Sequence, residues 1–149
     1  MLKLVHRSAA LTALALIAFF FSSTLAVEML AGPSQIAWLK ALIATPGLWL
    51  LIPSLMAAGI SGNLLARGRS GPPIGAKRRR MAVAAANGLL ILVPCALTLN
   101  SLAARGALDA TFYLIQAAEL AAGALNLSLL GLNLRDGLRL GRRVAPTAV

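Results

Sequence analysis

The chain has 149 residues, of which 59% are apolar and only 12% charged, and its formal net charge is +10. Soluble domains contain about 25% charged residues, so this composition excludes an ordinary soluble domain. The mean hydropathy is +0.83, and apolar stretches of the ~17–25 residues needed to cross a bilayer recur along the chain. The totals predict an all-α, polytopic membrane protein whose residues 1–149 form a single membrane domain.

The first apolar segment covers residues 8–27 and follows the basic stretch MLKLVHR. A basic start, an apolar core and small residues near a cleavage site also describe a secretory signal peptide, so cleavage is one alternative. The apolar core is longer than the ~7–15 residues usual in signal peptides. We therefore favour a retained membrane helix.

The next segment, residues 28–45, predicts a short helix at the outer membrane surface before the second span. We expect Gln35 and Lys40 to face water, while Ile36, Leu39 and Ile43 face lipid. Trp38 suits the interface. Pro46 should then break the helix, because a proline disfavours helical geometry in the residue before it.

Three further apolar segments follow, and together they predict a four-transmembrane-helix bundle. Two prolines and three glycines between the second and third spans argue against helix there, and Gly137 is expected to end the last helix. The predicted boundaries are residues 47–66 for span two, 67–80 for a basic loop, 81–102 for span three, 110–132 for span four and 133–149 for a basic tail.

The basic residues predict the orientation of the bundle. Of the 14 Lys and Arg residues, all but Lys40 and Arg105 fall on one side of this topology. The positive-inside rule then places both termini and the central loop in the cytoplasm, as in a bacterial inner-membrane protein. We expect these cations to fix topology and contact anionic lipid headgroups rather than nucleic acid. The candidates in the loop and tail are Lys77, Arg78, Arg79, Arg80, Arg139, Arg142 and Arg143.

Polar side chains form a seam along the fourth span. With Gln116 set at zero, Glu119 falls at ~300°, Asn126 at ~280° and Asn133 at ~260° around the helix. A charged side chain at mid-bilayer costs at least ~2.5–3.5 kcal/mol on insertion scales, so this seam should face the bundle interior. We expect Asn87, near the start of the third span, to meet it.

Glu119 lies near the middle of its span, and the predicted topology puts no Lys or Arg at that depth. We therefore expect a neutral carboxyl that hydrogen-bonds amide and hydroxyl groups. Two interpretations stay open: a group that sets helix register, and a group that carries a proton or binds a cation. The expected partners from the other spans are Ser54, Ser61, Asn87 and Thr98.

The sequence offers little for catalysis or cofactor binding. His6 is the only histidine and Cys95 the only cysteine, which leaves no haem ligand pair, metal site or disulfide to predict. We predict no cofactor, no metal and no enzyme activity. The favoured function is a non-enzymatic accessory or scaffold subunit, as a homo-oligomer or in a larger membrane complex. The alternative is a small proton-coupled carrier that uses Glu119.

Overall fold

A computed structural model describes residues 1–67 and 72–142, without the side chains of residues 72, 73 and 139–142. Every regular element in the described part is helical. In chain order the helices are α1 (Leu2–Leu30), α2 (Pro33–Leu42), α3 (Leu48–Leu65), α4 (Pro72–Asn87), α5 (Val93–Ala104) and α6 (Ala110–Arg142).

Four continuous helical stretches are long and apolar enough to cross a membrane: Leu2–Leu30, Pro33–Leu65, Ile74–Ala104 and Ala110–Leu138. The prediction of an all-α chain with four membrane-length helices is thereby confirmed, and the protein is an integral membrane protein by this criterion. The second stretch combines α2 with α3. The third joins α4 to α5 through a wide turn at Gly88–Leu92, just before Pro94, which lacks the N–H that a regular helix turn needs.

The helices alternate in direction, so the bundle has two distinct ends. One end, here called the basic end, is the end toward which the predicted basic loop and tail lie. There the start of α1 meets the end of α3, where His6 Nδ1 lies 3.2 Å from Ser61 Oγ. The start of α4 meets the last turns of α6 at this same end, where Arg80 pairs with Asp136. His6, which precedes the predicted first span, therefore lies within α1 and packs against α3.

The opposite end, here called the distal end, contains the end of α1, the whole of α2, and the turn between α5 and α6. Its buried apolar cluster joins α2, α5 and α6. Phe112 is completely buried there, close to the start of α6. The backbone N–H of Phe112 donates a hydrogen bond to the carboxylate of Asp109. The buried members of this cluster are Ile36, Leu99, Ala103 and Phe112.

The predicted orientation of α2 is wrong, because one face of α2 packs into the distal end of the bundle. Ile36, Leu39, Lys40 and Ile43 are all buried, at the i, i+3, i+4 and i+7 spacing of one helix face. Only the other face is open, and there Trp38 is exposed as expected for an interfacial residue. Lys40, predicted to face water, points the opposite way.

The break after α2 falls where proline predicts it. Thr45 has extended backbone angles, φ −152° and ψ 109°, inside the connecting segment Ile43–Gly47. This is the geometry favoured immediately before a proline, here Pro46. The kink redirects the chain, so that α3 packs along α1 while α2 packs against α5.

Two predicted boundaries at the basic end are wrong. Residues 72–80, assigned to the loop 67–80, are helical, because α4 already begins at Pro72. Proline is well tolerated in a first helical turn, where its missing N–H would have no partner anyway. The last helix also continues through Gly137 to Arg142 rather than ending in a tail. Leucine and arginine favour helix enough to offset one interior glycine.

Candidate functional site

An ion pair inside the bundle is the most distinctive feature of the structure. Lys40 Nζ lies 2.8 Å from Glu119 Oε2, and the two side chains are 1% and 13% exposed. The pair joins α2 to α6, and its two residues are 79 positions apart in the chain. Glu119 is nine residues into α6, or ~14 Å along the helix, well within the ~30 Å of a bilayer core.

The cation-free environment expected for Glu119 is therefore wrong. Its basis was the assignment of Lys40 to the water-facing side of α2. The inward rotation of α2 brings the ammonium group of Lys40 to the carboxylate of Glu119.

The hydroxyl groups expected to bind Glu119 bond elsewhere. Ser54 donates to the carbonyl oxygen of Leu50 at 2.7 Å, and Thr98 donates to that of Pro94 at 2.8 Å. Ser61 likewise bonds the backbone of its own helix. Such bonds to the preceding turn satisfy a hydroxyl without any partner helix, which is why these residues do not contribute to the site.

Two more polar residues surround the ion pair. Gln116, one turn before Glu119, donates its Nε2 to Glu119 Oε2 at 3.3 Å. Glu28, near the end of α1, lies within the electrostatic range of both Lys40 and Glu119. Among the residues that the structure describes, neither Gln116 Oε1 nor Glu28 Oε1 has a hydrogen-bond partner, although both atoms are buried.

A small cavity adjoins this cluster. Its volume is about 60 Å³, and its wall consists of apolar side chains from α1, α3, α5 and α6 with Glu119 and Thr24. A cavity of this size has room for a few waters, whereas pockets for drug-sized ligands measure ~300–1,000 Å³. The carboxylate of Glu119 therefore borders both its cation and a partly open cavity.

A second polar layer lies two turns along α6 toward the basic end. Asn87 Nδ2 donates to Asn126 Oδ1 at 2.8 Å and to the carbonyl oxygen of Ala122 at 2.9 Å. This contact joins α4 to α6, as expected for Asn87, but it does not include Glu119. Paired amides of this kind hold transmembrane helices together, typically with ~0.6–2 kcal/mol each.

The seam predicted on α6 faces inward along its whole length. Gln116, Asn126 and Asn133 are buried and Glu119 is nearly so, whereas Ser128, on the opposite side of the helix, is exposed. The structure divides this seam into an ion-pair layer, an amide layer and, at Asn133, a polar position near the basic end.

The basic candidates of α4 point in different directions. Arg78 donates to Asn63 Oδ1 at 2.7 Å, Arg80 pairs with Asp136, and Arg79 is exposed. Lys77 is partly buried against α6. The backbones of Arg139 and Arg142 continue α6, while their side chains and the whole of Arg143 lie outside the described residues.

Sequence reasoning missed Lys40 and Glu28 as members of the site. A signal for Lys40 was present, since it lies ~40° from Ile36 and ~60° from Ile43 around α2, within the apolar stripe. No pattern in the sequence indicates that Glu28 belongs to the site, because this residue lies beyond the apolar segment. Within residues 1–67 and 72–142, no three His, Cys, Asp or Glu side chains come together as a metal site needs.

Comparison of the chain with protein-family models, with curated proteins and with solved structures finds no match. The function must therefore be argued from the site itself.

Proposed function

We propose that this chain is a non-enzymatic accessory or scaffold subunit of a bacterial inner membrane, with both termini in the cytoplasm. The strong asymmetry of Lys and Arg between the two sides supports this orientation. The subunit acts by holding a defined surface in the membrane toward a second copy or toward other membrane proteins.

The observation that carries this proposal is the Lys40–Glu119 pair. Each charge has its counter-ion within the same chain, at 2.8 Å. A buried ion pair adds little stability compared with apolar packing, but it can favour one arrangement of helices over others. In this protein it fixes the depth and rotation of α2 against α6, and thereby the direction of the exposed Trp38 face.

The scaffold proposal is tested by copurification in mild detergent. We expect the intact chain to retain a stable oligomeric state or a stoichiometric membrane partner. The variants Lys40→Met and Glu119→Leu should lose that association while the isolated chain stays helical and monodisperse. Arg105→Met is the matched control, because it removes an exposed distal cation without an acidic partner in the described residues. Retention of the association by all three variants contradicts the proposal.

A second candidate is a small proton-coupled carrier, favoured by one specific observation. Glu119 lies on the cavity wall, and buried oxygens of Gln116 and Glu28 remain without a donor in the described part of the chain. Intramembrane carboxylates in such surroundings often carry protons. In this function, protonation of Glu119 releases Lys40 and so loosens α2.

The two functions are separated by Glu119→Gln in reconstituted vesicles. A carrier should show a proton flux that depends on a pH gradient and disappears in the variant while folding and oligomeric state persist. That result would refute the scaffold proposal. Absence of flux in both proteins, with association weakened only in the variant, supports the scaffold.

A further inference from the structure

The basic end contains a cluster of charges that the proposed functions do not use. It lies where α4 packs against the last turns of α6. Arg80 Nη2 donates to Asp136 Oδ2 at 2.8 Å, and Arg135 contacts the other oxygen of Asp136 at 3.4 Å. Lys77 lies in electrostatic range of both Asp136 and Arg80. Three cations around one carboxylate leave an excess of two positive charges.

Several buried polar atoms in this cluster have no hydrogen-bond partner among the described residues. Arg80 Nη1 is buried and has no hydrogen-bond partner among the described residues. Asn133, one helical turn before Asp136, is only 6% exposed, and neither its Nδ2 nor its Oδ1 has a partner in the described part of the chain. Buried polar groups in native proteins are nearly always paired with protein, water or ligand. Two orphaned groups beside an excess of positive charge point to an anionic ligand.

Lys77 is held at the same place by its packing on α6. A β-carbon built on Gly137 would lie 3.5 Å from Lys77 Nζ, so the ammonium group lies directly over that glycine. The long methylene stem of a lysine can cover apolar surface while its head stays polar. The Nζ atom therefore adds a third donor group to those of Arg80 and Asn133.

We propose that Lys77, Arg80 and Asn133 bind one phosphate group of an anionic phospholipid at the groove between α4 and α6. Phosphate oxygens only accept hydrogen bonds, and the fork of an arginine matches them well. Asp136 is a positioning residue: by occupying Nη2 it orients the guanidinium and leaves Nη1 for the ligand. The site is more specific than a general attraction of basic residues to headgroups.

The surroundings favour a lipid phosphate over free phosphate. Leu134 and Leu138, on the same turns of α6 as Asn133 and Asp136, are exposed apolar side chains. A phospholipid whose headgroup binds at the cluster could lay its acyl chains on these residues and deeper along the helices. Inorganic phosphate gains nothing from such contacts, so its affinity should be much lower.

The test is lipid binding by the purified full chain in a neutral detergent, followed by native mass spectrometry. Phosphatidylglycerol is titrated, with phosphatidylcholine as the zwitterionic comparison and inorganic phosphate as the competitor. We expect one phosphatidylglycerol to bind preferentially. Lys77→Gln and Arg80→Gln should each weaken this binding about tenfold, the usual consequence of losing one charge-assisted hydrogen bond.

Arg79→Gln is the matched control, because it removes an exposed cation from the same helix and leaves the groove unchanged. Its effect should stay below about twofold, as expected for a screened surface charge. Equal losses in Arg79→Gln, Lys77→Gln and Arg80→Gln overturn the proposal, since general electrostatic attraction then explains the binding. Displacement of phosphatidylglycerol by inorganic phosphate at equal concentration overturns the lipid assignment.

Lys77→Gln keeps the test valid if Arg80→Gln does not fold, because Lys77 makes no hydrogen bond or ion pair with any described side chain. Asn133→Leu gives an independent measurement. It should reduce phosphatidylglycerol binding several-fold without changing the net charge, a result that general electrostatics does not predict. Unchanged binding in both Lys77→Gln and Asn133→Leu contradicts the proposal.

Discussion

Replacing Lys40 by Met is expected to destabilise the bundle strongly. At the 2.8 Å separation of Lys40 and Glu119, the Coulomb attraction is about 6 kcal/mol for an effective dielectric constant of ~20. Desolvation of both groups offsets much of that attraction in the intact pair. The variant loses the attraction but keeps Glu119 buried, and such one-sided removal typically costs about 3–5 kcal/mol. We expect ~3 kcal/mol, because polar groups in a membrane-embedded denatured state also find partners.

The measurement is a double-mutant cycle of Lys40→Met, Glu119→Leu and the double variant, unfolded by SDS in mixed micelles. The double variant replaces the pair by apolar side chains of similar size, so it should be more stable than either single variant. The coupling free energy between the two sites should exceed about 1.5 kcal/mol. The reasoning would be refuted if the stability losses of the two single variants were additive and each no larger than the loss in Arg105→Met.

Two packing predictions can be checked by the same unfolding assay. Gly47→Ala should cost about 1–3 kcal/mol through overpacking, because its new β-carbon would lie 2.7 Å from Phe20 Cζ and 2.9 Å from a backbone carbonyl of the preceding turn. Gly59→Ala, with nothing within 4 Å of the new atom, should be neutral or stabilising by up to ~1 kcal/mol. A larger loss of stability in Gly59→Ala than in Gly47→Ala contradicts the packing described. Phe112→Ala should cost about 3–5 kcal/mol, whereas Tyr113→Ala, at an exposed position, should cost far less; equal costs contradict the buried cluster.

Much of the architecture was predictable because bilayer physics leaves few choices. Apolar stretches must be helical to satisfy their own backbone, so composition and segment length predict four helices. The polar seam on α6 was predictable for a similar reason, since its side chains share one face and lipid would not solvate them. The kink at Thr45 follows from the local stereochemistry of Pro46.

The remaining features depend on packing that a linear pattern does not contain. A short amphipathic helix such as α2 can lie on a bilayer or against other helices, since lipid and helix surfaces are both apolar. In this structure α2 packs against the distal cluster around Phe112 and Leu99, and its Lys40 pairs with Glu119. The early start of α4 is different, because prolines both end and begin helices, and composition alone did not distinguish these roles at Pro72.

The position of α2 connects stability with function. In a bilayer, burial of Ile36 and Leu39 against neighbouring helices gains little over contact with lipid tails, because both environments are apolar. The Lys40–Glu119 pair is then the interaction most able to distinguish the docked α2 from an α2 released to the membrane surface. If the chain is a scaffold, this pair keeps the Trp38 face at a fixed orientation toward its partner. If it is a carrier, the same pair makes α2 responsive to a single proton at Glu119. Both functions require the coupling between Lys40 and Glu119, and only the carrier requires that it be broken and restored in each transport cycle.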